Sequence, residues 1–474
     1  MQPLVRLAEF VSTFPADRLP ENTRKMISRL LIDLIASTAA GLNTPLAVSA
    51  RAAMTSAYGS GPVTVWLTGK TSSIIGAAMA NSAAASSLDL DDGHRAAAGH
   101  AGAGVIPAAL AVAEATGAST DETLAAIALG YDIALRVASC RPAPSVSSYA
   151  SGLWVNYGAA AAAARLLRLD IGQTAAALGI AGGEGPIVFT TPDPKFEGST
   201  VKEGIPPAVV AGMTAAYRAQ SSATGPLDHF DDPARFDPAV LFAGLGEVWE
   251  VEKCYLKPYA CCRYMHAALD AIFDLRDPRK EIKSLKIETF PQSLRLANER
   301  APTTSEGAQY SFYFNCALAA IHGRDALLPV DPKHLHDPDV LALAARIELS
   351  ASSEFSSAFP ARTPARVLID QGDGIQEKLV LHPLGDVANP MSEDQIIEKL
   401  QRLAAELGVV DTDEIVSCLL GIETKGIRPL FEALSQNFLR ESHAQTQQVA
   451  HKLRLGTDAP IPNVPASRML TPTF

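Results

Sequence analysis

The chain has 474 residues, which at roughly 150 residues per domain predicts two or three domains. Hydrophobic residues make up 47% and charged residues 19%, a balance that excludes disorder as the main state and indicates a large buried core. The formal net charge of −11 excludes nucleic acid as the main partner, because phosphate binding needs clustered lysine and arginine. It leaves room for a small anionic molecule bound by a few buried cations.

The first half of the chain has mostly helical periodicity, and its many alanines favour helices that pack closely. Residues 20–41 predict a helix that Pro20 opens, with Met26, Leu30 and Ile35 at helical spacing. Residues 62–68 alternate as a short strand. Further helices are predicted at 71–87, 104–117, 121–138, 158–168, 171–181 and 205–220.

The pattern changes near residue 280, where strands and helices begin to alternate. Strands are predicted at 282–290, 366–372 and 377–383, and helices at 308–322 and 338–347. The turn at 371–374 joins the last two strands as a hairpin, and Ser392 caps a later helix. We therefore predict a mainly α protein with a helical domain at 1–264 and 391–474, an α+β domain at 265–390 and a proline-rich surface tail at 456–474.

Six cysteines show none of the paired spacings of a metal site, and Cys261 and Cys262 are adjacent, which suits a structural disulfide poorly. We expect six reduced thiols in a cytoplasmic protein. The N-terminal residues lack a basic stretch followed by an apolar run, which predicts no secretory signal. Polar residues interrupt every alanine-rich stretch, which predicts no membrane span.

Residues 88–102 (LDLDDGHRAAAGHAG) place carboxylates and imidazoles between two apolar helices. An aspartate beside a histidine fixes the imidazole tautomer and tunes its pKa for proton transfer. A solvated loop with a helix cap is the alternative, and a Mn or Mg site is a third interpretation of the same residues. The chemically relevant side chains are Asp89, Asp91, Asp92, His94, Arg95 and His100.

Residues 201–212 (VKEGIPPAVVAG) place Lys202 and Glu203 just before a helix. A lysine at a helix N-terminus opposes the helix dipole, so an anion is expected to compensate for it. The alternative is a Lys202–Glu203 pair on the surface.

Residues 257–272 (KPYACCRYMHAALDAI) place Lys257, Arg263 and His266 close together, with the last two on one helix face. Arginine suits a bidentate contact to a carboxylate and lysine supplies a point charge, so the segment indicates an anion-binding site. A helix start with its cations in solvent is the alternative. For Cys262, a buried structural thiol is favoured over a nucleophile.

These three segments, together with AQYSFYFNCALAA and HPLGDVANPMSEDQI, follow one another as the landmarks of the MmgE/PrpD family do. The resemblance covers residues from about 5 to 450. That family includes 2-methylcitrate dehydratases, cis-aconitate decarboxylases and iminodisuccinate epimerases. The resemblance implies a large all-helical domain, a smaller α+β lid, an active site between them, a homodimer, and neither cofactor nor metal.

When the motifs are matched one by one, the resemblance implies a set of catalytic residues and a set of substrate-binding residues. Two departures concern the decarboxylases, since Gly152–Gly158 (GLWVNYG) lacks a histidine usual there and Cys262 replaces another. Phe314 stands where a tyrosine is usual, with Tyr313 beside it. The catalytic set is His100, Asp91, Lys202 and Lys257, and the substrate-binding set is Arg263, His266, His94, Tyr313 and Cys262.

The resulting hypothesis is a cofactor-independent lyase that moves a proton at a carbon beside a carboxylate of a small polycarboxylic acid. The cations bind carboxylates and stabilise an enolate-like state, while His100, oriented by Asp91, is the general base or acid. His94 or His266 is the second proton carrier. Dehydration of a 2-methylcitrate-like hydroxy acid is the first choice. The alternatives are an epimerase of a dicarboxylic acid, a cis-aconitate-type decarboxylase and a catalytically silent anion-binding homologue.

Overall fold

Helices make up most of the ordered backbone in the computed structural model, which describes residues 2–142, 145–146, 148–185, 199–407 and 412–438. The helices are α1 (Pro3–Thr13), α2 (Glu21–Gly41), α3 (Pro45–Tyr58), α4 (Ile74–Ser86), α5 (Gly102–Thr116), α6 (Thr120–Ser139), α7 (Val155–Leu166), α8 (Ile171–Glu184), α9 (Ile205–Gln220), α10 (Pro238–Leu241), α11 (His266–Leu275), α12 (Ser305–Ala308), α13 (Phe312–His322), α14 (Pro338–Arg346), α15 (Glu393–Glu406), α16 (Asp413–Leu420), α17 (Ile422–Lys425) and α18 (Arg428–Leu434). The strands are β1 (Val63–Val65), β2 (Lys70–Ser72), β3 (Gly93–His94), β4 (Cys254–Tyr255), β5 (Ser284–Thr289), β6 (Glu348–Ala351), β7 (Ala365–Asp370) and β8 (Ile375–Val380).

Helix α7 is the most enclosed helix of the first half, and it packs against α5, α6, α8 and α9. Small residues allow this close packing. A Cβ atom on Gly158 of α7 would lie 2.6 Å from the carbonyl oxygen of Gly130 in α6, so only glycine fits at that crossing. The alanine-rich run of α7 is therefore a buried helix, as its composition predicts.

The larger sheet has the strand order β6-β5-β7-β8. Strands β5 and β6 are parallel, and the other two pairs are antiparallel. Strand β7 alternates between buried and half-buried residues, and its buried side chains join α11 and α13 in one apolar core. The hairpin between β7 and β8 turns at residues 371–374, where Gly372 and Gly374 have φ values of 101° and 99° that glycine tolerates.

Two local contacts bring distant segments together around the candidate active site described below. Strands β3 and β4 pair His94 with Cys254, which joins the segment after α4 to the segment before α11. On α15, the buried Lys399 Nζ donates to Asp33 Oδ1 at 2.6 Å and to the carbonyl oxygens of Leu90 and Lys257, both at 3.0 Å. A single ammonium group thus holds three chain segments, and its position depends on packing between α2 and α15.

The predicted mainly α class and the elements of the first half are confirmed, with α2, α5 and α6 within about two residues of their predicted ends. The structure adds α1, α3 and β6, and it shortens the strand at 62–68 to β1. The division into 1–264 with 391–474 and 265–390 stays a prediction, as does the lid arrangement. Residues up to 438 form one compact unit. The predicted tail at 456–474 lies outside the described residues.

All six cysteines are free, as predicted. No single helix among the described residues is long and apolar enough to cross a membrane. The adjoining helices α2 and α3, which meet at a bend of 92°, reach that length and composition only together.

Candidate active site

The carboxylate of Asp89, just after α4, is the centre of a buried ion network. Lys257 Nζ donates to its Oδ2 at 2.6 Å, and Lys202 Nζ donates to its Oδ1. His100 Nε2 lies 3.2 Å from the same Oδ1. Segments separated by more than 100 residues therefore meet at one carboxylate, and Asp89 is the anion that compensates for Lys202 at the start of α9. Lys202 is 7% exposed, so the alternative of a surface pair with Glu203 is wrong.

Three residues of this network have a positive φ angle, which is costly for a residue other than glycine. The values are 53° for Asp89, 34° for Lys202 and 53° for Glu203. Such conformations cost on the order of 1–3 kcal/mol each and persist where the surrounding structure enforces them, often at functional sites. Here the enforcing contacts are the hydrogen bonds of the network itself.

Glu203 connects the network to two further side chains. Its Oε2 accepts from Ser151 Oγ at 2.9 Å, and Ser151 Oγ in turn accepts the backbone N–H of His100 at 2.9 Å. Its Oε1 accepts from Tyr310 Oη at 3.2 Å, while Tyr310 Oη accepts from Lys202 Nζ at 2.9 Å. The loop that carries His100 is thereby tied to the start of α9.

The imidazole of His100 has an acceptor at each nitrogen. Nδ1 lies 2.8 Å from the carbonyl oxygen of Asp92, and Nε2 faces the carboxylate of Asp89. A carbonyl oxygen only accepts, so Nδ1 carries a proton, and a second proton on Nε2 completes an ion pair with Asp89. Burial alone would lower the pKa of His100, but the negative charges of Asp91 and Asp89 raise it to about 9. The ring is therefore an imidazolium at neutral pH.

This geometry corrects the predicted role of Asp91. Its Oδ2 lies 3.6 Å from His100 Nδ1, and both of its oxygens are buried without a hydrogen-bond partner among the described residues. The Asp92 carbonyl and the Asp89 carboxylate lie closer to the ring nitrogens and orient the ring instead. All three aspartates of the run are buried, and the sequence does not reveal which carboxylate contacts the imidazole.

Asp89 itself is a permanent anion. Burial would raise the pKa of its carboxyl, but the charges of Lys202, Lys257 and His100 hold that pKa well below its usual value. Ligand atoms of Asp89, His100 and Glu203 lie within 4.8 Å of one another, close enough for a metal ion in principle. Both oxygens of Asp89 already accept from ammonium groups, however, and those charges oppose a divalent cation. The arrangement favours an anionic ligand.

A cavity of about 160 Å³ opens beside this network. At one side of it, Tyr255 lies between two guanidinium groups, with Arg95 and Arg263 each 4.8 Å from the ring centroid. Arg95 pairs with Asp386 and donates to Thr363 Oγ1 at 2.9 Å. The lining residues are Asp89, His94, Arg95, Ala98, His100, Ser148, Tyr149, Ala150, Glu203, Tyr255, Cys262, Arg263, Tyr264, Gln292, Arg295, Leu296, Ala297, Tyr310, Phe359, Pro360 and Thr363.

Arg263 is almost fully buried at this cavity. Its Nη1 donates to the carbonyl oxygen of Leu384 at 2.8 Å and its Nη2 to that of Pro383 at 3.1 Å. Its Nε is buried without a hydrogen-bond partner among the described residues. A buried guanidinium N–H without an acceptor is costly. The charge of Arg263 is partly balanced by Asp386, whose Oδ2 lies 3.6 Å from Nη2 and also pairs with Arg95.

Comparison with known proteins gives this site its context. Residues 5–244 match the MmgE/PrpD N-terminal domain, and residues 259–419 match the MmgE/PrpD C-terminal domain. The chain belongs to the MmgE/PrpD family. A cis-aconitate decarboxylase of Aspergillus terreus is 26% identical over 472 residues, covering 90% of this chain and 95% of that protein. A cis-aconitate decarboxylase-like protein of Aspergillus oryzae is 24% identical over 461 residues, covering 88% and 94%.

In this MmgE/PrpD protein, four predicted site residues line the cavity: His94, His100, Cys262 and Arg263. Lys202 and Lys257 do not line it but contact Asp89, which does. Burial raises the pKa of the Cys262 thiol to about 12, which disfavours the thiolate and argues against a nucleophile.

His266 and Tyr313 lie elsewhere. His266 is fully buried behind Arg263, where its Nδ1 accepts from Arg263 Nη1 at 3.0 Å and its Nε2 donates to the Cys261 carbonyl at 3.2 Å. Burial and the charge of Arg263 hold the pKa of His266 well below its usual value, so its ring stays neutral. Tyr313 is not among the lining residues, and its ring packs under the guanidinium of Arg300 at 3.7 Å.

Several residues of the MmgE/PrpD site were not among the site residues predicted from the sequence. Asp89 and Arg95 stand inside the first motif, but nothing in the motif separates Asp89 from its neighbouring aspartates. Glu203 follows Lys202 directly, and a charged pair of this kind is usually exposed. Tyr310 lies three residues before the predicted Tyr313, which places a different aromatic ring of the same motif at the cavity.

Proposed function

We propose that this protein is a lyase for small polycarboxylic acids in which His100 is the general acid. The observation that carries the proposal is the His100 imidazolium, which lines the cavity while Asp89 and the Asp92 carbonyl hold its two nitrogens. Arg95 and Arg263 at the same cavity supply cations for substrate carboxylates. A proton donor beside fixed positive charges suits chemistry at a carbon next to a carboxylate.

The reaction we propose first is dehydration of a hydroxy acid of the 2-methylcitrate type. The substrate loses a proton from the carbon beside a carboxylate, and the hydroxyl on the neighbouring carbon leaves with a proton from His100 as water. A carbon–carbon double bond forms. The base releases the proton taken from carbon to solvent, and His100 regains a proton from solvent. We propose that His94, the second imidazole at the cavity, accepts the proton from carbon at Nδ1 after exchanging its present contact there, the backbone N–H of Ala97 at 3.2 Å, for the substrate. Glu250 Oε2, 3.4 Å from His94 Nε2, would stabilise the resulting charge.

Decarboxylation is the second candidate, and similarity to cis-aconitate decarboxylases over nearly the whole chain favours it. Loss of carbon dioxide leaves an electron pair on carbon that needs one proton, which His100 alone supplies. The two candidates therefore share the acid and differ in the need for a base. A His94→Gln variant separates them, since it impairs dehydration far more than decarboxylation.

The experiment is an NMR assay in D2O with 2-methylcitrate, citrate and cis-aconitate, combined with a measurement of carbon dioxide release. We expect an alkene product or carbon dioxide from at least one acid, and a kcat lower by about 10²–10⁴ in His100→Gln. His336→Gln, an exposed histidine outside the cavity, is the matched control. Exchange with solvent without net product would indicate an epimerase instead. If the folded protein shows no turnover of any of the three acids and no exchange with solvent, the proposal is rejected.

A further inference from the structure

One wall of the cavity is aromatic, although a small polycarboxylate has little apolar surface to place against it. Tyr149, Tyr264 and Phe359 all line the cavity and are each partly exposed. The ring centroid of Phe359 lies 5.5 Å from that of Tyr149 and 5.4 Å from that of Tyr264. Behind them the fully buried Phe290 stacks on Phe359 at 5.7 Å. The three rings form one continuous surface, to which Leu296 adds an aliphatic side chain.

This aromatic wall (Tyr149, Tyr264, Phe359 and Leu296) is built from the same chain segments as the polar side of the cavity. Tyr149 stands two residues before Ser151, whose hydroxyl accepts the backbone N–H of His100. Tyr264 directly follows Arg263, the buried cation with an unpartnered Nε. One cavity therefore offers a single ligand both sides, charged groups near His100 and the arginines and an apolar surface at the rings.

A carboxylate would be a poor occupant of the aromatic wall. Its charge would lose water and could gain donors there only at the edge, from the hydroxyls of Tyr149 and Tyr264, while the faces of the aromatic rings are themselves electronegative. An alkyl group loses nothing on leaving water and gains contact with the rings. A single methyl group contacts only part of a surface that spans three rings.

We propose that the cavity takes an alkyl-substituted polycarboxylic acid whose alkyl chain, longer than methyl, packs on the aromatic wall. The carboxylates of the same molecule face Arg95, Arg263 and His100. The inference rests on the proposed function for the acidic part of the ligand and adds the class of its substituent. It makes the protein selective for the longer members of a homologous series.

The test uses a series of 2-alkyl hydroxy tricarboxylic acids from methyl to hexyl, with binding measured by calorimetry and turnover measured separately. Burial of each added CH2 is expected to strengthen binding about fourfold until the wall is covered. Phe359→Ala and Tyr149→Ala should each flatten this dependence on chain length. The matched control is Phe242→Ala, which removes a half-buried ring that contacts Arg6 and does not line the cavity.

The outcomes separate this inference from the proposed function. Binding that strengthens with chain length but without turnover would support the aromatic subsite and reject the lyase. Turnover of the methyl compound with no gain for longer chains would support the lyase and overturn the subsite. Variants of Phe359 and Tyr149 that fold, by circular dichroism, yet keep the wild-type dependence on chain length would also overturn it.

Discussion

Replacing Asp89 with asparagine tests the electrostatic basis of the site, because it keeps the side-chain shape and removes the central charge. In the native protein the pKa of His100 rises from 6.5 to about 9, which corresponds to about 3 kcal/mol in favour of the imidazolium. At a separation of 3.2 Å, attraction between unit charges is on the order of 5 kcal/mol at an effective dielectric constant of 20. Asp89, which adds a hydrogen bond to its charge, is therefore a major cause of the rise, together with the charge of Asp91.

Without the Asp89 charge, the repulsion between the two lysines, Lys202 and Lys257, and a proton on His100 would be opposed mainly by Asp91. We expect the His100 pKa in Asp89→Asn to fall well below about 9, with the charge of Asp91 still raising it. In the wild type, activity that requires the acid should decline as pH rises through about 9. In the variant the same decline should occur at a lower pH, and a profile of kcat against pH measures the difference.

Stability gives a second readout that needs no substrate. A pKa raised in the folded state contributes stability that is complete below pH 6.5 and is lost as pH rises through about 9, so the wild type should lose about 3 kcal/mol over that interval. The variant should show a smaller loss over the same interval. Removing the partner of the buried Lys257 ammonium should also destabilise it by roughly 3–5 kcal/mol at every pH. Urea unfolding midpoints between pH 6 and pH 10 measure both effects.

Asp33→Asn is the matched control. It also removes the charge from a buried aspartate paired with a lysine, Lys399, but it does not contact His100. We expect it to destabilise the protein without moving the alkaline decline of kcat. If Asp89→Asn kept a decline near pH 9, the proposed link between Asp89 and the His100 proton would be refuted.

Three further predictions follow from the same contacts. Lys399→Met should destabilise by roughly 3–5 kcal/mol because it strands the Asp33 charge, and the double variant Lys399→Met with Asp33→Leu should recover most of that loss in urea unfolding; no recovery would contradict the buried pair. Cys262 should react with iodoacetamide at pH 7.5 far more slowly than the unfolded chain, by mass spectrometry, because its thiol pKa is about 12; rapid native labelling would disprove this. Arg95→Lys should raise KM about tenfold with a smaller change in kcat, because lysine cannot hold Asp386 with two N–H groups while facing the cavity; an unchanged KM would exclude Arg95 from substrate binding.

The helices could be predicted from the sequence because the interactions that define each helix are local. Apolar residues at helical spacing define α2, and Ser392 and Gln395 satisfy each other's backbone groups at the start of α15. These signals lie within a few residues of one another. Strand β6 had no such signal, since its residues are mostly exposed and its place in the sheet comes from pairing with the distant β5.

The sequence also indicated the three motifs that carry the site, since carboxylates, imidazoles and cations between apolar helices are chemically conspicuous. Choosing among neighbours inside a motif required the folded chain. Asp89 rather than Asp91 contacts both lysines, because the positive φ at Asp89 turns its carboxylate toward them. The charges that raise the His100 pKa come from Asp91 and Asp89 in its own motif, whereas the opposing charge of Lys257 comes from a segment more than 100 residues away. Tertiary packing sets the distances between all of these groups.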